Sequence, residues 1–315
     1  MRKFIRYSWL IISFIWFNST FAHHITVMTY NTNLLPNIPI SDLTKNLNHP
    51  FKRAYYIPNA LDHYKPDIVA FQEDIAPVSF VILNAQMRKH GYPYHSKVVG
   101  MPSLKHLNLL SGGVIIYSKY PFSQKPQYAV FSRSLGLEGI ANKGAVFTQI
   151  TKNNKRYNII SLHTQSFSQP IKAKEYDRWR IQIGQLSQFI ANLQIPANQA
   201  VIIMGDFNAD SGKAITAENP QIVFNSPYQY LLNSLKAQPA GIYSKDTLPY
   251  SYDSKTNKMV TSKEQTTLDH ILCMVDYQCP DKRSSLKIIA LHNKHIGDIT
   301  DLSDHYALIG SLYYP

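Results

Sequence analysis

Cysteine is almost missing from this chain: there are two in 315 residues, Cys273 and Cys279. That excludes a disulfide framework, and with no second Cys or His pair at ligand spacing it also excludes a structural zinc site. The two lie six apart and flank Asp276-Tyr277-Gln278, a spacing open equally to a hairpin-like bridge and to two buried thiols. Internal repeats, low-complexity tracts and interdomain linkers are absent as well. Charged residues make up 17% of the chain against 44% apolar, which excludes extensive disorder and permits a sizeable core. The one long apolar run, Trp9 to Phe17, is short for a membrane span. It follows Arg2, Lys3 and Arg6 and precedes Thr20-Phe21-Ala22, with small residues at the −3 and −1 positions of a cleavage site. Residues 1–22 therefore read as a secretory signal peptide, and residues 23–315 as one exported domain. Acidic residues are also scarce, 20 against 32 Lys and Arg. The net charge of +12 falls to +9 without the three leader cations, a balance that favours polyanions or anionic membrane surfaces.

What is there is a series of apolar runs that stop at polar side chains. His24 to Tyr30 alternates in a β-rich way and ends at Asn31. Ile68-Val69-Ala70-Phe71 stops at Gln72-Glu73-Asp74. Asn142-Lys143-Gly144 opens a strand through Ile150, the polar turn Lys152-Asn153-Asn154-Lys155 reverses it, and the return from Tyr157 ends on His163-Thr164-Gln165-Ser166. Ala200 to Met204 is a buried-strand run released by Gly205 into Asp206-Phe207-Asn208. Thr266 to Leu272 reads as a strand with Asp269 inside it, and a carboxylate within a strand needs a partner. Asp304-His305 stands at the start of the last strand. Between these lie helical stretches. One runs over 43–64, with Pro58 bending or interrupting it; others run over 78–89 and 224–235. Ala173 to Ile190 carries an apolar stripe of Tyr176, Trp179, Ile183, Leu186 and Ile190. Residues 237–263 read as a long surface loop. Taken singly, each Asn or Asp at a strand exit is more often a turn residue than a ligand.

Taken in order, Asn31, Phe71-Gln72-Glu73, His163, Gly205-Asp206-Phe207-Asn208, Leu268-Asp269-His270 and Ser303-Asp304-His305 resemble the motifs of the endonuclease/exonuclease/phosphatase superfamily. Gly112 to Pro121, Asn142-Lys143-Gly144 and His163-Thr164-Gln165-Ser166 are most similar to the secreted bacterial neutral sphingomyelinases. The resemblance implies a four-layer α/β sandwich of the DNase I-like kind, with two mostly antiparallel β-sheets face to face, helices outside and a phosphodiester cleft at one end. It implies a Mg²⁺-dependent phosphodiesterase in which Mn²⁺ or Co²⁺ can substitute. Glu73, Asn31 and Asp304 would serve the metal, and His305 would be the general base, oriented by Asp269. Asp206 and Asn208 would position water and a phosphoryl oxygen, His163 would bond the phosphoryl group or leaving oxygen, and Lys143 and Gln165 would contact substrate.

The implied substrate is membrane sphingomyelin, met by a monomer through peripheral membrane contact. The chain departs from that branch at Ile75, where an aromatic is the rule, and at Ser168, where an acid is. It has no Cys around 135–139 or 167–171 and no aromatic-rich hairpin before Ser303; residues 288–300 carry His292, Lys294 and His295 instead. A broader phospholipase C, a secreted DNase-type nuclease suited to the basic charge, and an inert binding protein on the same fold are the alternatives. The last is expected to lose Glu73, Asp206 or His305, and none is lost.

Overall fold

The computed structural model describes residues 23–35, 49–101, 110–212 and 227–315. The expected signal peptide lies outside the described residues, as do the first residues of the expected 43–64 and 224–235 helices.

Period-2 burial builds the two sheets. Strand His23–Leu34 sends Ile25 and Val27 to one side and Met28 and Tyr30 to the other, and both sides are buried. The same holds for the continuous apolar runs in Ile68–Asp74 and Ala200–Asp206, as expected of strands covered on both faces. Across the first sheet the strands run Ile242–Tyr243, Ser285–Ile289, Ala307–Tyr314, His23–Leu34, Ile68–Asp74, Ile115–Ser118, Tyr94–His95. Across the second they run Ala237–Pro239, Asp269–Met274, Ala200–Asp206, Lys155–His163, Gly144–Lys152, Gln127–Val130. Most neighbours are antiparallel. The central pair of each sheet, His23–Leu34 with Ile68–Asp74 and Lys155–His163 with Ala200–Asp206, is parallel.

Ile25, Val27 and Ala70 of the first sheet meet Val146, Ile159 and Ile202 of the second in one shared core. Helices α1 (Pro50–Leu61) and α2 (Pro77–Lys89) cover the outer face of the first sheet. Helices α3 (Ala173–Asn192) and α4 (Pro227–Leu235) cover that of the second, with Trp179, Ile183, Leu186 and Ile190 turned inward. The result is the four-layer α/β sandwich, helices outside, that the resemblance implied.

Several details differ from the sequence reading. Pro58 neither ends nor interrupts α1 but sits buried within it. Residues 237–263 hold short strands, two of which edge the two sheets; segments of two or three residues carry no periodicity to read. The expected 266–272 strand is two, Gln265–Thr266 and Asp269–Met274, so Asp269 opens its strand. Cys273 and Cys279 are joined as a disulfide. Asn153 and Asn154 both take positive φ, 50° and 62°, as a two-residue type I′ hairpin requires.

Candidate active site

Strand register brings the polar ends together. In the second sheet His163, Asp206 and Asp269 face one another across three neighbouring strands, one row at one level. In the first, Asn31 pairs with Gln72, which puts Asn31 and Glu73 at the same edge. Leu302 to His305 enter beside them from the approach to the last strand: Ser303 Oγ donates to Asn31 O at 2.7 Å. Arg53 of α1, fully buried, fastens this edge by donating to Thr32 O at 2.7 Å, Asn33 O at 2.6 Å and Leu302 O at 3.0 Å.

Two glycines make the close approach possible. A Cβ on Gly205 would lie 2.2 Å from Leu162 O, so only glycine lets the Asp206 strand lie this close to the His163 strand. A Cβ on Gly113 would lie 2.8 Å from the Cα of Glu73. Glu73 itself and Asn208 hold left-handed backbone, φ 57° and 51°, conformations that cost non-glycine residues about 1–3 kcal/mol and collect at functional sites.

Asp206 is the hub. Its Oδ2 accepts from Asn31 Nδ2 at 2.9 Å, across the two sheets, and its Oδ1 accepts from the Asn208 N–H at 2.9 Å. His163 Nε2 stands 3.5 Å from Asp206 Oδ2 and 3.8 Å from Glu73 Oε1. His305 Nδ1 donates to Asp269 Oδ2 at 2.8 Å, which turns Nε2 toward Asp206 Oδ2, 3.9 Å away. The strand carboxylate has found its partner. Glu73, His163, Asp206, Asn208 and His305 form the floor of a cleft of about 330 Å³, bordered by Asp304, Glu138, Phe167, Tyr252 and Glu264.

Of the ten residues singled out in the sequence, Glu73, His163, Asp206, Asn208, Asp304 and His305 line the cleft. Asn31 and Asp269 stand immediately behind them as partners of Asp206 and His305. Lys143 and Gln165 are buried and turned to protein atoms. Lys143 Nζ donates to Glu138 Oε1 at 2.7 Å, Thr164 O at 2.7 Å and His163 Nε2 at 3.0 Å. Gln165 donates to Glu138 Oε2 at 3.0 Å and accepts from Leu135 N–H at 2.6 Å. Both therefore shape the wall of the cleft from behind rather than reach into it. Glu138 ties the two together, and the sequence reading passed over it. Its one signal is an acid between Gly136 and Gly139 a few residues before Asn142-Lys143-Gly144.

Electrostatics show what the cleft is built to hold. Burial, and then the neighbouring Asp304, push the Glu73 carboxyl up to about 7. Burial, and then Asp269, push Asp206 up to about 6. Burial, Lys143 and His305 hold His163 well below the ordinary imidazole range. Burial opposes charge on His305 too, but Asp269, through charge and hydrogen bond, together with Asp206 and Asp304, outweighs it and raises His305 well above that range. Crowded carboxylates of this kind are relieved by a hard cation. One ligand atom each from Glu73, His163 and Asp206 lies within 4.8 Å of the others. Asp206, Asp269 and His305 form a second such group, in which Asp269 and His305 are already engaged with one another. The donor set fits a divalent metal.

A model of the Endonuclease/Exonuclease/phosphatase family matches residues 28–305. The chain belongs to that family, and the residues of the site just described fall within the matched range. Among its relatives are Sphingomyelinase C 2 of Leptospira interrogans serogroup Icterohaemorrhagiae serovar Lai, 27% identical over 92% of this chain and 46% of that one, and Sphingomyelinase C of Bacillus cereus, 30% identical over 81% of this chain and 76% of that one. The chain thus spans about half the length of its Leptospira relative. A doubly substituted beta toxin of Staphylococcus aureus, solved with bound magnesium ions, shares the fold with a TM-score of 0.75 at 22% identity, over 92% of this chain and 100% of that one.

Proposed function

We propose that the protein hydrolyses sphingomyelin to ceramide and phosphocholine with Mg²⁺ as cofactor, acting outside the cell as a monomer at a membrane surface. The observation that carries the lipid reading is the charge of the cleft wall. Beyond Glu73, Asp206 and Asp304, which belong to the chemistry, the wall adds Glu138, Asp210 and Glu264, with the rings of Phe167 and Tyr252. With Glu138 tied to Lys143 and three acids placed for the metal, Asp210 and Glu264 remain to repel the repeating phosphates of a nucleic acid, and with the two aromatic faces they suit a quaternary ammonium headgroup. The resemblance to sphingomyelinase C supports the same choice.

Glu73, with Asn31, Asp206 and Asp304 at its rim, would hold the metal. Bound Mg²⁺ supplies positive charge that stabilises the phosphoryl oxygens and offsets the carboxylates that keep His305 protonated. His305 takes the proton of the attacking water at Nε2, because Nδ1 is committed to Asp269. Asn208 and Asp206 orient the water. Neutral His163, backed by the Lys143 ammonium at 3.0 Å, faces the phosphoryl group or leaving oxygen.

The test offers sphingomyelin vesicles, phosphatidylcholine vesicles and plasmid DNA to one Mg²⁺-loaded preparation, with His305→Ala as the blank and chelator as the second control. Phosphocholine released from sphingomyelin alone is the expected result. Release from both lipids indicates a broader phospholipase C, and DNA nicking alone overturns the lipid reading.

A further inference from the structure

Helices α1 and α2 carry an outer surface of the wrong polarity for water. A surface helix covering a sheet normally buries one apolar stripe and turns charge outward. Here α2 buries Ser79, Leu83 and Met87 and still exposes Val78 and Val81, 55% and 64% accessible. Alongside it α1 exposes Phe51 and Tyr55, 45% and 46% accessible. Lys52, Tyr56 and His295 complete an open groove between the helices, and Tyr56 stacks on His295 with ring centroids 5.8 Å apart.

Neither helix contains a single Asp or Glu. Their exposed charges are Lys52, Arg88 and Lys89, and the exposed acid that follows α1, Asp62, is tied to His90 at 2.8 Å. A patch that joins aromatic and aliphatic side chains to cations and excludes carboxylates matches the interfacial zone of a phospholipid bilayer. There tyrosine rings settle at headgroup level, apolar groups enter the acyl boundary, and lysine meets lipid phosphate.

Its position matters as much as its composition. Both helices begin at the end of the sheet that carries the site: α1 starts beside the loops that Arg53 fastens around Asn33 and Leu302, and α2 starts four residues after Glu73. The exposed apolar residues Phe51, Tyr55, Val78 and Val81 all fall in the N-terminal halves, nearest the cleft, and the cations Arg88 and Lys89 fall at the far end of α2.

We infer that the α1–α2 face is the surface by which the protein seats on a phospholipid membrane, with Phe51, Tyr55, Val78 and Val81 entering the interface and Lys52 contacting lipid phosphate. The inference rests on the lipid reading of the cleft for its purpose, but its test does not. Full-length protein is sedimented with phosphatidylcholine vesicles with and without phosphatidylglycerol, in chelator so that nothing is hydrolysed. Combined Phe51→Ser, Tyr55→Ser and Val81→Ser should weaken vesicle partition by about tenfold or more, while hydrolysis of a water-soluble phosphocholine diester with Mg²⁺ stays within about twofold of the parent. Lys52→Gln should lower only the extra binding that phosphatidylglycerol confers. As a check free of any folding defect, the indole introduced by Tyr55→Trp should shift its emission to the blue on adding vesicles. Unchanged partition of the triple variant, or an indole emission that vesicles leave unshifted, overturns the inference, and so does a dimer that the triple variant dissociates, which would assign the face to a second copy. Vesicle binding that depends on the patch, in a protein without activity on any diester, would refute the proposed function and leave the docking face standing.

Discussion

The sandwich buries acids at both ends of its sheets, and treats them in opposite ways. At the end away from the cleft, Asp67 accepts from Lys152 Nζ at 2.6 Å, Thr26 N–H at 2.8 Å and Tyr120 OH at 3.2 Å, so each oxygen has a donor. At the cleft end Glu73, Asp206, Asp269 and Asp304 crowd together, and Asp269 Oδ1 has no hydrogen-bond partner among the described residues. One end uses an acid to fasten strands. The other holds acids near one another against their mutual repulsion, which is the signature of a site kept ready for a cation rather than of a structural joint.

The comparison breaks most visibly in turnover. His305→Ala should lower it by roughly 10²- to 10⁴-fold with the fold intact, and Asp269→Asn should do the same through tautomer and orientation. Combined, they should cost far less than the product of the two, since both act through one imidazole. Independent, multiplicative losses would show that the 2.8 Å contact is not a working pair. In stability the two ends should move in opposite directions. The Glu73 carboxyl is raised from 4.5 to about 7, so its contribution to metal-free stability is present below pH 4.5 and lost as pH rises through about 7. Glu73→Gln removes that loss. In chelator it should stabilise the protein by about 1–3 kcal/mol at pH 8 and by nothing at pH 4, read as the shift of the urea midpoint. A variant no more stable than the parent at pH 8 would contradict the crowding account. At the other end Asp67→Asn should destabilise by about 1–2 kcal/mol, with turnover per folded molecule unchanged. If turnover falls with it, the two ends are coupled and the contrast is false.

The part of this contrast that could be read in the sequence is the part written in periodicity. Apolar runs over 68–71 and 200–204 predict buried strands that stop at polar residues, and it is the family resemblance that implies one end where Glu73, Asp206 and His163 meet. Asp269 in an apolar stretch demanded a partner, and His305, 36 residues on, supplies it. What could not be read depends on approach between segments with no pattern of their own. Glu138 lies in a five-residue 3₁₀ turn, Gly136–Ile140, and reads alone as a solvated charge; only the fold brings Lys143 and Gln165 to it. The resemblance implied substrate contact for those two residues, and a sequence shows that a side chain is polar but not which way it turns. Arg53 in the middle of a helix gave no hint that its guanidinium would fasten three carbonyls at the site edge.

The first described strand pairs from His23 to Thr29 with the last, His23 opposite Tyr314 and Thr29 opposite Leu308. Asn31 and Glu73 stand near the ends of two early strands of this sheet, whereas His305 precedes the last described strand, and its seat beside Asp269 depends on that strand. Closure of the first sheet is therefore a contact of very long sequence separation, which forms late and slowly. A chain whose first sheet is still open has Asn31 and Glu73 side by side but not His305. The cleft is therefore complete only once the first and last described strands have paired, so the site and the fold come into being together.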